Sequence, residues 1–298
     1  MSYPQAVKIV EVSPRDGLQN EARIIAVEDK LALINDLRLA GVRHIEVAGF
    51  VSPKWVPQLA DAAAVCAGLT ADPKVHYSAL TPNLKGLDAA IVAGIKEVAV
   101  FTAASESFNQ KNINCSIEES FDRFAPVMEK ARDHDIKVRG YVSCVLGCPY
   151  EGEIEPQVVA QVAKRLSDMG CYEVSLGDTI GTGTPVKARQ MLSMCADQVN
   201  MAQLALHFHD TYGQALANLQ ACLELGAAVI DSSVAGIGGC PYAKGATGNV
   251  STENVIYMLN GMGIETGIDL AGLIKAGQRI SRVLDRQSNS QVSRAMGS

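Results

Sequence analysis

His207 and His209 stand one residue apart in the run Leu204-Ala205-Leu206-His207-Phe208-His209-Asp210, in a chain with five histidines in all. In an extended strand, residues two apart face the same way, with Cα atoms about 6.5 Å apart. Two imidazoles so placed can bind one metal ion. The plainer alternative is a pair of ordinary histidines at a strand end, and the other polar residues decide between the two.

Asp16, in the stretch Ser13-Pro14-Arg15-Asp16-Gly17 that follows a first strand, supplies a carboxylate. Asn249, after the last strand, supplies an amide oxygen. Two nitrogens and two oxygens leave two positions of an octahedron for substrate or water, which is a catalytic rather than a closed structural arrangement. Arg15 beside Asp16 is placed to stabilise developing negative charge. Glu46, on a second strand, points into the interior, where a lone carboxylate is costly. Arg15 is its natural partner, so Glu46 is expected to orient the arginine rather than to move protons. The stretch 236–249, GIGGCPYAKGATGN, lacks the glycine–lysine–hydroxyl run of a phosphate loop. Its glycines around Cys240 and Pro241 suit a lid that excludes water and brings a thiol to the substrate. His44, His76 and His134 are expected to be packing or surface residues.

The elements that must position these groups alternate along the whole chain. Strand-like runs at 7–12, 44–50, 75–81, 97–103, 137–145, 172–178, 204–211 and 229–237 each precede an amphipathic run. Eight strand–helix units predict parallel strands closed into a (β/α)8 TIM barrel. A doubly wound sheet is the alternative, but no Gly-x-Gly-x-x-Gly follows the first strand. The chain reads as a single catalytic domain, 1–298, with the barrel at about 7–262. An extra C-terminal helical segment, about 263–298, packs outside the barrel or against another subunit.

Composition sets outer limits. A net charge of −6 argues against nucleic acid, whose phosphates call for a basic face. The sequence shows no membrane-spanning run of about 20 apolar residues. The start, MSYPQAVKIVEV, has neither a secretory nor a transit pattern. The eight cysteines are scattered through apolar sequence and read mostly as buried free thiols of a reducing cytoplasm.

The strings SPRDGLQNE (13–21), FVSPKWVPQLAD (50–61), RGYVSCVLGCPYEG (139–152), LGDTIGTGTP (176–185), HFHDTYGQALAN (207–218) and GIGGCPYAKGATGNVSTE (236–253) resemble the 3-hydroxy-3-methylglutaryl-coenzyme A lyases. The similarity runs in register from about residue 7 to about 265. The resemblance implies a divalent cation, usually Mg²⁺ or Mn²⁺, and cleavage of that acyl-CoA to acetyl-CoA and acetoacetate in leucine breakdown. It carries the metal ligands to Asp16, His207, His209 and Asn249, the catalytic arginine to Arg15, the strand-two glutamate to Glu46 and the lid cysteine to Cys240. His207 or Asp16 takes the hydroxyl proton, and the sequence leaves that choice open. One departure is Val47-Ala48-Gly49-Phe50, where better-known members have Thr-Ser or Gly-Ser before the phenylalanine. The smaller residues suggest a related substrate, such as citramalyl-CoA or a prenyl-extended glutaryl-CoA. The end, SRAMGS, lacks a cysteine-bearing, peroxisome-addressed tail, so a bacterial cytoplasmic form is expected, as a homo-oligomer, a dimer by preference.

Overall fold

The computed structural model describes residues 3–239 and 248–297. Among these, eight parallel strands close on themselves in sequence order. They are β1 (Lys8–Glu11), β2 (His44–Gly49), β3 (His76–Leu80), β4 (Glu97–Ala103), β5 (Lys137–Ser143), β6 (Glu173–Asp178), β7 (Leu204–Phe208) and β8 (Val229–Ser232). The helices between them are α1 (Val27–Leu39), α2 (Ala62–Ala67), α3 (Leu84–Val92), α4 (Glu106–Ile113), α5 (Ile117–Asp133), α6 (Pro156–Asp168), α7 (Pro185–Ala196), α8 (Ala215–Leu223) and α9 (Thr252–Gly261). The expected (β/α)8 barrel is the observed one. Helix α5 begins where a capping box predicts it: Ser116 accepts from the Glu119 amide, and the Glu119 carboxylate accepts from the Ser116 amide.

Two helices follow the barrel, α10 (Leu270–Val283) and α11 (Gln291–Met296). Helix α10 packs on α1 and α9, and α11 packs on α9 and α10, so the extra segment lies against the outside of the barrel. The main apolar core lies between sheet and helices, with residues such as Ile45, Leu87, Leu166, Leu176 and Leu206 sealed from solvent.

The lumen is different. Strands of such barrels usually fill it with branched apolar side chains. Here Glu46, Arg139, Glu173, Ser175, His207 and Asp231 are buried and bonded to one another or to neighbouring polar groups. Arg139 Nε donates to Glu173 at 2.8 Å, while its two terminal nitrogens donate to Asp231 at 2.9 and 2.7 Å. Lys8 pairs with Glu173 at the N-terminal end. Burying charges costs several kcal/mol each, and only close pairing with further hydrogen bonds offsets it.

Two local departures from simple periodicity bear on the site. The register between β2 and β3 shifts between Glu46 and Ala48, so two-residue alternation stops at Glu46. Ala48 therefore joins the apolar cluster that holds Val47 and Ala79 instead of facing the same way as Glu46. The strand expected across 204–211 ends at Phe208, and His209 instead bridges to Asn249.

Candidate metal and catalytic site

Every predicted site residue among those described comes to the carboxyl end of the barrel. Arg15 and Asp16 ride on a single π-helical turn, Ser13–Gly17, directly after β1. Its geometry is tight at Gly17, where an added Cβ would lie 2.7 Å from Ile237 Cγ1. His207 is in β7, His209 just past it, and Asn249 lies opposite His209 through a backbone bridge. Cys240 lies outside the described residues, and so does most of the expected lid.

The ligand atoms of Asp16, His207 and His209 all fall within 4.8 Å of one another. His207 Nε2 is 3.8 Å from Asp16 Oδ2, and the two imidazole centroids are 5.5 Å apart. Both imidazoles are buried, so each nitrogen turned toward Asp16 is shielded from water as a metal ligand must be. Burial, and then His207, push His209 down to about 4, so its imidazole is neutral and its lone pair free. Asp16 is held at about 2: burial works against ionisation, but Arg15, His207, His209 and Asn249 outweigh it. A carboxylate and two imidazoles in reach of one point fit a divalent ion. Asn249 turns its amide nitrogen inward, donating to Asp16 Oδ2 at 2.7 Å. Exchanging the two ends of that amide would present the oxygen instead.

Arg15 is clamped. Its Nε and Nη2 donate to the two oxygens of Glu46 at 2.9 and 3.0 Å, and Nη1 donates to Asp16 at 2.8 Å. Burial opposes its charge, yet Glu46, Asp16 and Tyr141 hold it firmly protonated. Tyr141, which the sequence did not single out, donates to Glu46 Oε2 at 2.7 Å and accepts from Arg139 at 2.9 Å.

A second residue unmarked in the sequence is Asp231, on β8. It is fully enclosed, takes two bonds from Arg139 and one from Ser175, and lies 3.1 Å from His207 Nδ1. Burial resists its charge, but Arg139 and His207 hold it far below the usual carboxylate range. An ionised carboxylate only accepts, so the proton between them belongs to His207 Nδ1. Burial works against the charge of His207, but Asp231 and Asp16 raise it above its ordinary value; when it is neutral, its lone pair is on Nε2, the nitrogen that faces Asp16. A polar residue at an inward position of an apolar strand was the available signal, in VIDSS for Asp231 and in KVRGYV for Arg139 and Tyr141.

The base of the expected lid is built for glycine. Gly238 has φ +131, and an added Cβ there would meet the Asn249 amide at 2.8 Å. Gly248, at φ +86, would place one 2.4 Å from the Gly238 carbonyl oxygen. On β2, an added Cβ at Gly49 would lie 3.0 Å from Leu59 Cδ1 and 3.7 Å from Arg15 Cγ. Of the two small residues that depart from the family pattern, Gly49 is thus the one against the site.

Fold and site together define a (β/α)8 barrel with a cluster of metal-ligand type at the carboxyl ends of its strands. The HMGL-like family model matches residues 6–280, and the chain belongs to that family. It is 59% identical over 296 residues to the 3-hydroxy-3-isohexenylglutaryl-CoA/hydroxy-methylglutaryl-CoA lyase of Pseudomonas aeruginosa, covering 99% of both chains. The crystal structure of hydroxymethylglutaryl-CoA lyase from the same organism superposes with a TM-score of 0.98 at 59% identity, covering 99% of each chain. An HMG-CoA lyase from Acinetobacter baumannii, solved with coenzyme A and 3-methylmalate, matches with a TM-score of 0.94 at 35% identity over 99% of this chain and 97% of that one.

Among the described residues no helix is long and apolar enough to cross a membrane. The seven cysteines described are all buried thiols outside any disulfide. Burial pushes Cys171, Cys195 and Cys222 up to about 12, which makes them inert.

Proposed function

We propose that the protein is a divalent-metal-dependent carbon–carbon lyase that cleaves 3-hydroxy-3-methylglutaryl-CoA to acetyl-CoA and acetoacetate, a step of leucine catabolism. The observation that carries this reading is the convergence of Asp16, His207 and His209 beside an arginine fixed by Glu46. The names of the full-length relatives point to the same reaction and to an acyl-CoA substrate.

The reaction breaks the C2–C3 bond while the tertiary hydroxyl loses a proton and an acetyl-CoA enolate leaves. Asp16, His207, His209 and, after its amide exchange, Asn249 would hold the cation; Mg²⁺ or Mn²⁺ is what the family resemblance implies, with Asn249 and the substrate adding oxygens to the set. Bound there, it supplies Lewis acidity toward the substrate hydroxyl. Arg15 stabilises the enolate oxygen, and its bidentate grip on Glu46 fixes the guanidinium plane before substrate arrives. Glu46 has both oxygens committed, to Arg15 and Tyr141, so it positions and does not exchange protons.

Asp16 also has both oxygens engaged, one by Arg15 and one by Asn249. His207 has a single lone pair, on Nε2, because Asp231 fixes the proton on Nδ1; it cannot hold the cation and accept the hydroxyl proton at once, so the acceptor is His207 where that nitrogen is free of the ion, or else Asp16. Cys240 is proposed as the group that helps protonate the departing carbanion. The remaining parts of the reading are one domain, a homodimer and a cytoplasmic location, which the buried unbridged thiols favour. Incubation with the thioester and Mg²⁺ tests the function: acetoacetate must form well above an Arg15→Gln control.

A second reading, the same chemistry on a prenyl-extended glutaryl-CoA, is favoured by the missing side chain at Gly49 and by the name of the Pseudomonas relative. Ratios of kcat/KM over both substrates decide it, and equal or faster cleavage of the longer one makes it the primary activity.

A further inference from the structure

The opposite end of the barrel carries a second cluster of ligand-type side chains. His44, His76 and Glu97 open the successive strands β2, β3 and β4, and His44 is paired with His76 in the β2–β3 register. Their ligand atoms lie within 4.8 Å of one another. The two imidazoles stack with centroids 4.7 Å apart and planes 9° from parallel. Glu97 Oε1 is 3.0 Å from His76 Nδ1, and the Tyr172 hydroxyl donates to Glu97 Oε2 at 3.3 Å. A hydrogen bond of that kind, from outside the cluster, holds a carboxylate in place for coordination. None of these residues touches the catalytic rim.

We propose that His44, His76 and Glu97 form a second metal site, selective for a borderline transition ion such as Zn²⁺ over Mg²⁺. Two imidazoles and one carboxylate, completed by water, make a familiar tetrahedral zinc set, whereas Mg²⁺ prefers oxygen throughout. Burial, Lys8 and His76 keep His44 at about 4, so at neutral pH no proton has to be displaced from it. A cavity of about 500 Å³ lined by Lys8, Arg43, His44 and Glu265, among others, opens beside the cluster and gives an ion access.

Stacked rings direct their in-plane lone pairs along parallel lines, so one ring must turn to share an ion. His76 is the mobile partner, since its side chain is 46% exposed. Its turn releases Glu97 Oε1 to become the third ligand. The positive neighbours Lys8 and Arg139 are already paired with Glu173 and Asp231, which leaves Lys137 as the main opposing charge. An ion here would staple the starts of three adjacent strands, a stabilising role suited to the N-terminal face of a barrel.

The experiment counts Zn²⁺ bound by chelator-stripped full-length protein in a background, Asp16→Asn/His209→Gln, that removes the catalytic ligands. One equivalent is expected, raising the melting temperature, and it should vanish on adding either His76→Gln or Glu97→Gln. Cu²⁺ in the same background should give an EPR signal with two nitrogen ligands, reduced to one by His44→Gln. With the catalytic ligands intact, His76→Gln should leave Mg²⁺-supported turnover unchanged. No zinc uptake in the double-variant background, or uptake that persists in both His76→Gln and Glu97→Gln, overturns the proposal.

Discussion

Asp231→Asn is a nearly isosteric change that should disable the site from beneath it. The native carboxylate takes two bonds from Arg139, one from Ser175 and one from His207. An amide has one acceptor end and one donor end, so whichever way it lies, its NH₂ meets donors. Facing His207, it draws the proton off Nδ1 and places N–H on Nε2, the nitrogen turned toward Asp16. In a comparable buried Asp–His pair, the same tautomer error lowers kcat by about 10⁴. Changing the outer partner of a metal-ligand histidine lowers metal affinity by about 10- to 100-fold. We expect Asp231→Asn to reduce kcat by at least about 10³ at saturating Mg²⁺.

Stability should fall as well, because Arg139 keeps Glu173 but loses its bidentate partner. Breaking a buried pair costs about 3–5 kcal/mol. For a chain of this size that is a drop in Tm of order 10 °C. The assay has three arms: steady-state kinetics across a Mg²⁺ titration, thermal melting, and ¹⁵N NMR of the imidazoles to identify which nitrogen of His207 carries hydrogen. Wild-type Mg²⁺ dependence together with an unaltered His207 tautomer in a folded variant would refute the reasoning, whatever happens to Tm.

Arg15→Gln should lower kcat by about 10²–10³ while thermal stability falls too, since Glu46 loses its bidentate partner; steady-state kinetics and melting check both. Removing divalent ions with a chelator should abolish turnover, and Mg²⁺ or Mn²⁺ should restore it in the wild type but not in Asp16→Asn. Gly49→Ser should shift the kcat/KM ratio at least about tenfold toward the methyl substrate over the prenyl-extended one, because the added side chain presses on Leu59 beside Arg15. Burial pushes Glu253 up to about 8, so the folded state prefers its neutral form. Stability from this group is complete below about pH 4.5 and declines as pH rises toward 8, by about 2–4 kcal/mol; urea unfolding at pH 6 and 8.5 should show the slope, reduced in Glu253→Gln.

The barrel was legible because each strand–helix unit carries its own period, from KIVE of β1 to VIDS of β8. The residues of the candidate site were legible because they cluster in short strings, with Arg15 next to Asp16 and His207 two positions from His209. What escaped is what closure of the sheet alone creates. Arg139 and Asp231 meet across 92 residues of sequence, and Tyr141 reaches Glu46 across 95. His44 and His76, expected to be packing or surface residues, are also stacked neighbours, an arrangement that only the β2–β3 pairing brings about. The shift of register after Glu46 defeated simple alternation, so Ala48 and Gly49 could not be told apart by counting.

The charged lumen has a consequence for anyone redesigning this scaffold. Lys8, Glu173, Arg139, Asp231, Tyr141, Glu46 and Arg15 form an unbroken relay of contacts from the floor of the barrel to its rim. Thermostabilisation by swapping Arg139, Asp231, Glu46 or Arg15 singly for leucine or valine will therefore fail, since each such swap takes a bidentate partner from a buried ion. Any successful repacking must exchange the whole chain of charges at once, and it would take the arginine's support with it.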